Sequence, residues 1–244
     1  MWKPYRSDAD YSYTLGAYPT CELIQARPAE VQALIMHPSF SGTETAATVG
    51  DFAAARHIPL QIDAKAISRL SPRENCYLIG IFHKYQDQLA PQRAHLLLVQ
   101  PSNRGNVGTI MRTMLGFGLR DLAVVRPAAD IFHPQTVRAS MGALFALRHS
   151  FTASLQEYRE AYAAHLLYPL MLQGRYTLSD VPRSSAPYTL ILGNEATGLD
   201  PACADLGYSI RIEHDAAIDS LNLTVAAGIA LESFYRNTQE VSHA

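Results

Sequence analysis

The chain has 244 residues, of which 48% are hydrophobic, and a formal net charge of −2 at pH 7. This length allows one large domain or two modest ones, and the small net charge means that any nucleic-acid-binding surface must be a local basic patch. No apolar run reaches the roughly 18 residues of a membrane-spanning helix, and the first residues lack the basic-then-apolar layout of a signal peptide. We therefore expect no membrane partner.

The three cysteines, Cys21, Cys76 and Cys203, are far apart in the sequence and odd in number. This pattern predicts neither a disulfide framework nor a zinc site, and it favours a reducing compartment, which we take to be the cytoplasm. The nine histidines are scattered without HxxxH spacing, and the cysteines form no CxxC pair, so we expect no metal.

Residues 1–90 predict an N-terminal arm followed by a small α/β domain. Residues 1–20 show no clear period and are interpreted as an arm or loop, after which helical and strand-like segments alternate. In order, these are a helix that Pro28 ends, the strand VQALIMH, a helix over 50–57, a strand over 58–62, the helix AKAISRLSP and a strand over 76–82. The polar segment HKYQDQLAPQR is interpreted as a linker.

Residues 91–244 predict a mostly parallel sheet with helices on both faces, because apolar runs of strand length alternate with helical segments. In order, these are the strand HLLLVQP, the helix VGTIMRTMLGFG, the strand DLAVVRP, the helix QTVRASMGALFAL, the segment FTASLQEYREAYAAH, the strands LLYPLML, YTLILG and YSIRI, and a helix after Asn222. The last helix is nearly all small or apolar, which predicts burial against its own domain and a second subunit.

Ligands bind to such sheets at the carboxyl ends of the strands, and the first unusual strand end contains Asn106 and Arg112. Asn106 is expected to cap the helix that follows. Arg112 lies about two turns into an otherwise apolar helix. It either forms a satisfied ion pair within the protein, which the spacing alone favours, or binds an anion.

Two more strand ends carry polar residues. The turn Gly193–Gly198 contains Asn194 and Glu195, and it lacks the GxGxxG fingerprint that seats a pyrophosphate, which disfavours a dinucleotide site. Residues 219–222 are a run of cap-type residues at a helix entrance, where Ser220 is as plausibly a cap as a functional residue.

These stretches carry the patterns N-x-G-x-x-x-R-T from Asn106, L-G-N-E-x-x-G-L from Leu192 and S-L-N from Ser220. In this order and spacing they resemble the three motifs of the SpoU, or TrmH, family of RNA ribose methyltransferases, over roughly residues 95–236. The segment RASMGALF (138–145) also resembles a Ser-Gly-Ala segment of that family. The sequence departs from the family at Glu213, where members often have proline, and at Ala216, where they often have glycine.

The resemblance implies an α/β fold with a mostly parallel sheet and a C-terminal trefoil knot of the SPOUT type, preceded by a small α/β domain that resembles an RNA-recognition domain. It also implies S-adenosyl-L-methionine as cofactor, ribosomal or transfer RNA as partner, methyl transfer to a ribose 2′-hydroxyl, and a homodimer. The implied catalytic residues are Asn106, Arg112, Glu195, Ser220 and Asn222. The implied cofactor-binding residues are Leu192, Gly193, Asn194, Gly198, Ile212 and Leu221.

Two other classes of protein stay open at the level of sequence. A catalytically silent RNA-binding protein on the same scaffold is disfavoured because Asn106, Arg112, Glu195 and Asn222 are all present. A nucleotide-dependent oxidoreductase of the doubly wound type is disfavoured because the chain has neither a GxGxxG fingerprint nor a P-loop.

Overall fold

The computed structural model describes residues 2–71, 75–183 and 186–242. The backbone groups into two compact units. The N-terminal unit combines Met1–Tyr85 with Asp130–Ala146, and the C-terminal unit combines Gln86–Ala129 with Leu147–Ala244. The predicted division after residue 90 did not anticipate that a segment from the second half of the chain belongs with the N-terminal unit. None of the helices described is long and apolar enough to cross a bilayer.

The helices and strands are numbered in chain order. The strands are β1 (Tyr11–Leu15), β2 (Val31–Met36), β3 (Leu60–Ile62), β4 (Leu78–His83), β5 (His95–Val99), β6 (Asp121–Val125), β7 (Arg148–Thr152), β8 (Leu166–Pro169), β9 (Tyr176–Thr177), β10 (Tyr188–Leu192) and β11 (Ile210–Arg211). The helices are α1 (Ala17–Ala26), α2 (Glu44–Ala55), α3 (Ala64–Leu70), α4 (Arg104–Gly116), α5 (Pro134–Ala139), α6 (Ala143–Ala146), α7 (Leu155–Ala161) and α8 (Leu223–Ser242).

The N-terminal unit contains a four-stranded sheet in the order β1–β4–β2–β3. Strand β4 pairs antiparallel with β1 and β2, whereas β3 pairs parallel with β2. The alternation of strands and helices predicted for this region is confirmed, although α2 begins six residues earlier than residue 50. Thr43 causes the earlier start, because its hydroxyl accepts a hydrogen bond from Ala46 N and caps the helix.

The interpretation of residues 1–20 as an arm or loop is wrong from Tyr11 onwards, where β1 and α1 begin. The strand was hidden because its polar residues are buried and hydrogen-bonded rather than exposed. Ser12 Oγ donates to the Phe132 carbonyl, and Thr14 Oγ1 accepts from Gly80 N at 2.8 Å. Buried hydroxyls of this kind disguise the apolar alternation on which strand prediction depends.

The segment between β6 and β7 was predicted to contain one helix over residues 135–147, and the structure divides it into α5 and α6. The break lies at Met141 and Gly142, which have φ values of 50° and 82° and cannot continue a right-handed helix. The apolar side chains of this segment are buried in the N-terminal unit, where the Phe82 ring lies 6.2 Å from that of Phe132 and 5.1 Å from that of Phe145.

The C-terminal unit contains a parallel five-stranded sheet in the order β7–β6–β5–β10–β8, which confirms the predicted mostly parallel α/β fold. Its three central strands are continuous apolar runs that are nearly fully buried, as expected of strands covered on both faces. A small second sheet pairs β11 parallel with β9 and lies beside the end of β8, where Leu170 bridges to Ile210.

Helices α4 and α8 pack against each other in the C-terminal unit. The buried positions of α8 include Ala227, Ala230, Leu231 and Phe234, whereas Val225 is 49% exposed and Ile229 is 39% exposed. Within this single chain an apolar strip one turn long is therefore open to solvent, and the burial of α8 against a second subunit stays a prediction.

A buried polar network joins the amino-terminal ends of the strands in the C-terminal unit. His95 Nδ1 lies 2.8 Å from the Tyr158 hydroxyl, which lies 2.7 Å from Thr189 Oγ1, and Thr189 Oγ1 lies 2.9 Å from His165 Nδ1. The far nitrogens of the two rings contact the carbonyls of Ala90 and Pro91. Burial lowers the pKa of His95 to about 4, so this histidine is neutral at pH 7.

Candidate active site at the carboxyl ends of the parallel strands

The Glu195 side chain connects the turn after β10 with the turn after β5. Its Oε2 accepts hydrogen bonds from Ser102 N at 2.9 Å and from Ser102 Oγ at 2.8 Å. Its Oε1 accepts from Asn103 N at 3.0 Å and from Asn106 Nδ2 at 3.2 Å. One carboxylate therefore fixes two of the three predicted motifs against each other.

The hydrogen bonds to Glu195 also determine its charge. Partial burial raises the pKa of the carboxyl, but the bonds from Ser102 and Asn103 outweigh burial and lower the pKa to about 2. Donors that point at a carboxylate stabilise the charged form. Glu195 is therefore an anion throughout the physiological range, and it serves as an acceptor rather than as an acid.

Asn103, and not Asn106, caps α4. The Asn103 side chain accepts a hydrogen bond from Asn106 N at 3.0 Å, and the helix begins at Arg104. The prediction that Asn106 is the cap is wrong because the helix starts at Arg104, three residues earlier than the apolar pattern suggests. Asn106 instead lies in the first turn, where its amide is directed to Glu195.

Asn194 shapes the turn between β10 and Leu199. Its Nδ2 donates to the Gln100 carbonyl at 2.8 Å, and its Oδ1 accepts from Ala196 N and Thr197 N. The turn closes tightly, because a Cβ on Gly193 would overlap the backbone of Gly198, which itself has a φ of 68°. Glycine is favoured at both positions for these reasons.

The third motif forms the entrance to α8. Asn222 Oδ1 accepts from Thr224 N at 2.8 Å and from Thr224 Oγ1 at 2.6 Å, so Asn222 has the bonding pattern of a helix cap. Ser220 makes no such bond, so the alternative of Ser220 as the cap is not what the structure shows. Ala216 does not adopt a positive φ, so alanine is compatible with the backbone at a position where the family often has glycine.

A cavity of about 560 Å³ opens between the second and third motifs and the residues after β8. Its volume falls within the roughly 300–1,000 Å³ of small-molecule sites. All six residues predicted to bind a cofactor line it, and so do Glu195 and Ser220, whereas Asn106, Arg112 and Asn222 do not. The lining comprises Leu170, Met171, Leu172, Gln173, Leu192, Gly193, Asn194, Glu195, Ala196, Thr197, Gly198, Leu199, Pro201, Ala204, Ile212, His214, Ser220, Leu221, Leu223 and Ala226.

Arg112 is exposed on α4. No hydrogen bond or ion pair to its guanidinium is present among residues 2–71, 75–183 and 186–242. Arg112 therefore has no ion-pair partner in this part of the chain, which does not support its interpretation as a satisfied ion pair. An exposed cation without a partner is available to bind an anion.

Sequence reasoning missed several residues of the site. Ser102 and Asn103, which hold Glu195, lie in the Gly- and Asn-rich turn after β5, where a strand end was already expected to carry ligand-binding groups. The same rule applied to β8 would have pointed to residues 170–173, which line the cavity. The residues that the structure describes contain no group of His, Cys, Asp and Glu side chains arranged to hold a metal ion.

The fold and the site define an α/β protein with a small-molecule cavity at the carboxyl ends of its parallel strands. The chain belongs to the SpoU rRNA Methylase family, whose model matches residues 93–232.

Named relatives are similar over part of the chain. A 23S rRNA (guanosine(2553)-2′-O)-methyltransferase of Bacillus subtilis (strain 168) is 29% identical over 158 residues, which cover 62% of this chain and 62% of the relative. A 23S rRNA (uridine(2479)-2′-O)-methyltransferase of Streptomyces viridochromogenes is 32% identical over 140 residues, which cover 54% of this chain and 48% of the relative. The match thus spans about half to three-fifths of these curated relatives.

A solved structure is similar over nearly the whole chain. The AdoMet-bound rRNA methyltransferase of Sinorhizobium meliloti superposes with a TM-score of 0.81 and 27% sequence identity, over 93% of this chain and 88% of that one. The similarity therefore includes most of the N-terminal unit as well as the sheet that carries the cavity.

Proposed function

We propose that this chain is an S-adenosyl-L-methionine-dependent methyltransferase that methylates a ribose 2′-hydroxyl of RNA. The observation that carries the proposal is the Glu195 carboxylate, which joins the first two motifs beside a cavity that the second and third motifs line. Family membership and the names of the relatives support the same activity.

The cavity fits an adenosine-containing sulfonium cofactor. Apolar side chains such as Leu192, Leu199 and Leu223 offer a surface for a flat base, and the backbone around Gly193 and Leu221 offers hydrogen-bonding groups. We propose Leu192, Gly193, Asn194, Gly198, Ile212 and Leu221 as the residues that hold S-adenosyl-L-methionine. When bound, this cofactor supplies a methyl group that is already activated.

The protein's main task is then to align the ribose, which can contribute roughly 7–11 kcal/mol to lowering the barrier. We assign Arg112 the role of a clamp on the ribose or an adjacent phosphate, because a guanidinium presents a planar, bidentate donor. Arg112 is a poor general base, since its pKa lies above about 12. The hydroxyl proton would therefore pass late to solvent water, as the bond from the methyl carbon to the ribose oxygen forms and the bond to sulfur breaks.

The other predicted catalytic residues are proposed to orient these groups. Asn106 and Glu195 hold the start of α4, the helix that carries Arg112. Asn222 fixes the entrance of α8, and Ser220 faces the cavity from the preceding loop. None of the four needs to exchange a proton in this scheme.

Ribosomal RNA is the substrate class that we favour over transfer RNA. The similarity to an rRNA methyltransferase of Sinorhizobium meliloti extends over 93% of this chain and so includes most of the N-terminal unit. We propose that this small α/β unit contributes to RNA binding.

A cytoplasmic location, which the cysteine pattern favours, stays a prediction.

We also propose a trefoil knot and a homodimer. The knot is supported by backbone passages so close that side chains do not fit: a Cβ on Gly174 would overlap the backbone of Ile210, and a Cβ on Gly207 would overlap the Leu167 carbonyl. The homodimer is supported by the open apolar strip of Val225 and Ile229 on α8.

The two competing classes differ in what they bind. The catalytically silent RNA-binding protein finds no support in the relatives, which are named as enzymes. The oxidoreductase requires a dinucleotide site, and the turn after β10 follows a different pattern.

Calorimetry with S-adenosyl-L-methionine and with NADH tests the choice between cofactors. We expect binding of the first and none of the second, and the measurement is repeated with RNA present. Mapping 2′-O-methyl groups in total RNA of a strain that lacks the gene then tests the reaction. We expect one ribosomal site to lose its methyl group and to regain it with the wild-type gene but not with Arg112→Ala. An unchanged map would contradict the proposed function.

A further inference from the structure

The turn between α5 and α6 has a strained backbone at a residue with a long side chain. Met141 has a φ of 50°, in the left-handed region that residues other than glycine, asparagine and aspartate rarely adopt. Such strain persists only where the surrounding structure enforces it, and it is concentrated at functional positions.

Close packing on α1 enforces this conformation. A Cβ on Gly142 would lie 2.5 Å from the Cβ of Glu22 and 3.6 Å from the Cα of Pro19, so only glycine fits against the helix. The turn is also closed by hydrogen bonds from Met141 N to the Arg138 carbonyl at 2.9 Å and from Ala143 N to the Ser140 carbonyl at 3.0 Å. The backbone is thus held rigidly on the face of α1.

The strained turn leaves its side chain in solvent. Met141 is 38% exposed, although its apolar neighbours Leu144 and Phe145 are fully buried. Tyr18 lies one turn before Glu22 on the same face of α1, and it is 56% exposed. Arg138, in the same turn as Met141, is half-buried as a residue, and its guanidinium forms no ion pair within the described residues.

We propose that Tyr18, Arg138 and Met141 form a nucleobase-binding surface, on which an unpaired base of the RNA substrate packs against Tyr18 and Met141 while Arg138 contacts a phosphate. The proposal rests on the proposed function for the identity of the partner as RNA. Specific RNA recognition targets unpaired bases that stack on aromatic side chains, and a guanidinium binds phosphate in bidentate fashion.

Substitutions at Met141 separate the backbone from the side chain. Met141→Ala and Met141→Gly both remove the side chain, but only glycine accepts the left-handed backbone without strain. We therefore expect Met141→Gly to melt at a higher temperature than Met141→Ala, and both to bind RNA more weakly than wild type. If both bind RNA as wild type does, the turn is purely structural and the proposal is overturned.

Substitutions at Tyr18 and Arg138 test the remaining contacts. Tyr18→Ala should weaken binding by roughly 5- to 150-fold, the usual effect of losing one stacked base, whereas Tyr18→Phe should retain most of the affinity. Arg138→Ala should reduce the slope of log affinity against log salt by about 1. Ile62→Ala is the matched control, since Ile62 is 61% exposed on the same unit and should have no effect.

The probe is ribosomal RNA from a strain that lacks the gene, and single-turnover methylation and cofactor binding are measured on the same preparations. Wild-type methylation with unchanged RNA affinity in all the variants would overturn the surface and leave the function intact. No methylation by the wild type, with RNA affinity lost in the Tyr18 and Met141 variants, would overturn the function and support the surface. A change of oligomeric state with RNA affinity intact would assign the surface to a protein partner and overturn the proposal.

Discussion

The Glu195 carboxylate accepts three hydrogen bonds from the loop after β5 and one from Asn106 in α4, whereas the Arg112 guanidinium makes no polar contact within the described residues. The first residue is held by the protein, and the second is available to a ligand. Substitutions at the two positions should therefore differ in their effects on stability.

Arg112→Ala and Arg112→Lys should both lose most of the turnover, because the clamp requires a planar, bidentate donor that lysine lacks. Loss of one preorganised charged contact typically lowers the rate by about 10²–10³. Cofactor affinity and melting temperature should barely change, since Arg112 is exposed and lies outside the cavity lining. The measurements are single-turnover methylation, calorimetry and thermal unfolding. Full activity of Arg112→Lys would refute the clamp.

Glu195→Gln should make stability less dependent on pH in the acid range. Because the folded pKa of about 2 lies below the unfolded value of roughly 4.3, the charged carboxyl contributes stability above about pH 4.5 that is lost as pH falls through 2. The wild type should therefore melt above the variant at pH 7, and the difference should shrink between about pH 4.5 and 2. A difference that is constant across this range would contradict the assignment, and Glu213→Gln, on the exposed neighbouring loop, is the control.

At the scale of whole elements, sequence patterns predicted best the strands that are buried on both faces. HLLLV, DLAVV and YTLIL are continuous apolar runs, and they form β5, β6 and β10. Strand β1 was missed because its polar residues are buried and include among their partners the distant Phe132 and Gly80. The break between α5 and α6 was missed because it depends on the close approach of Gly142 to α1.

The exposed strip on α8 leads to a prediction about assembly. Val225→Asp or Ile229→Asp should give a monomer or an insoluble chain, because either change places a charge in an interface that we expect to bury on the order of 2,000 Å². Arg236→Ala is the control on the same helix, where loss of a surface ion pair with Glu232 should have little effect. Light scattering measures the mass in solution. A soluble and fully active wild-type monomer at the assay concentration, or variants that keep the mass of a wild-type dimer, would exclude a dimer through α8.

At the scale of the molecule, the sequence predicted which strand ends carry the polar motifs of the candidate site but not how these motifs are joined. The motif residues could be located from order and spacing, whereas the bonds from Ser102 and Asn103 to Glu195 link positions more than 90 residues apart. The His95 and His165 network was missed for the same reason, since the side-chain partners of the two histidines, Tyr158 and Thr189, are distant in the sequence. Contacts between residues so far apart in the sequence are determined by the topology of the fold rather than by the local sequence pattern.

The composition of the N-terminal unit leads to a prediction about truncation. A chain of residues 86–244 alone would expose side chains that are buried in that unit, namely Ile131, Phe132, Val137, Leu144 and Phe145. We expect this fragment to be poorly soluble, and co-expression of residues 1–85 to restore its solubility. Residues 1–85 with Phe82→Asp should fail to do so, because Phe82 contacts both Phe132 and Phe145. A fragment that is soluble and stable on its own would show that the segment does not depend on the N-terminal unit.

The separation of the three motifs along the chain affects when activity can begin during protein synthesis. Asn222 follows Arg112 by 110 residues (222 − 112), which a ribosome translates in roughly 6–22 s at about 5–20 residues per second. During that interval the growing polypeptide contains the arginine but lacks the last wall of the cavity. On the proposed function, a nascent chain would therefore have no complete candidate site until α8 has emerged, and the ribosome that makes the protein would be protected from modification by its own unfinished product.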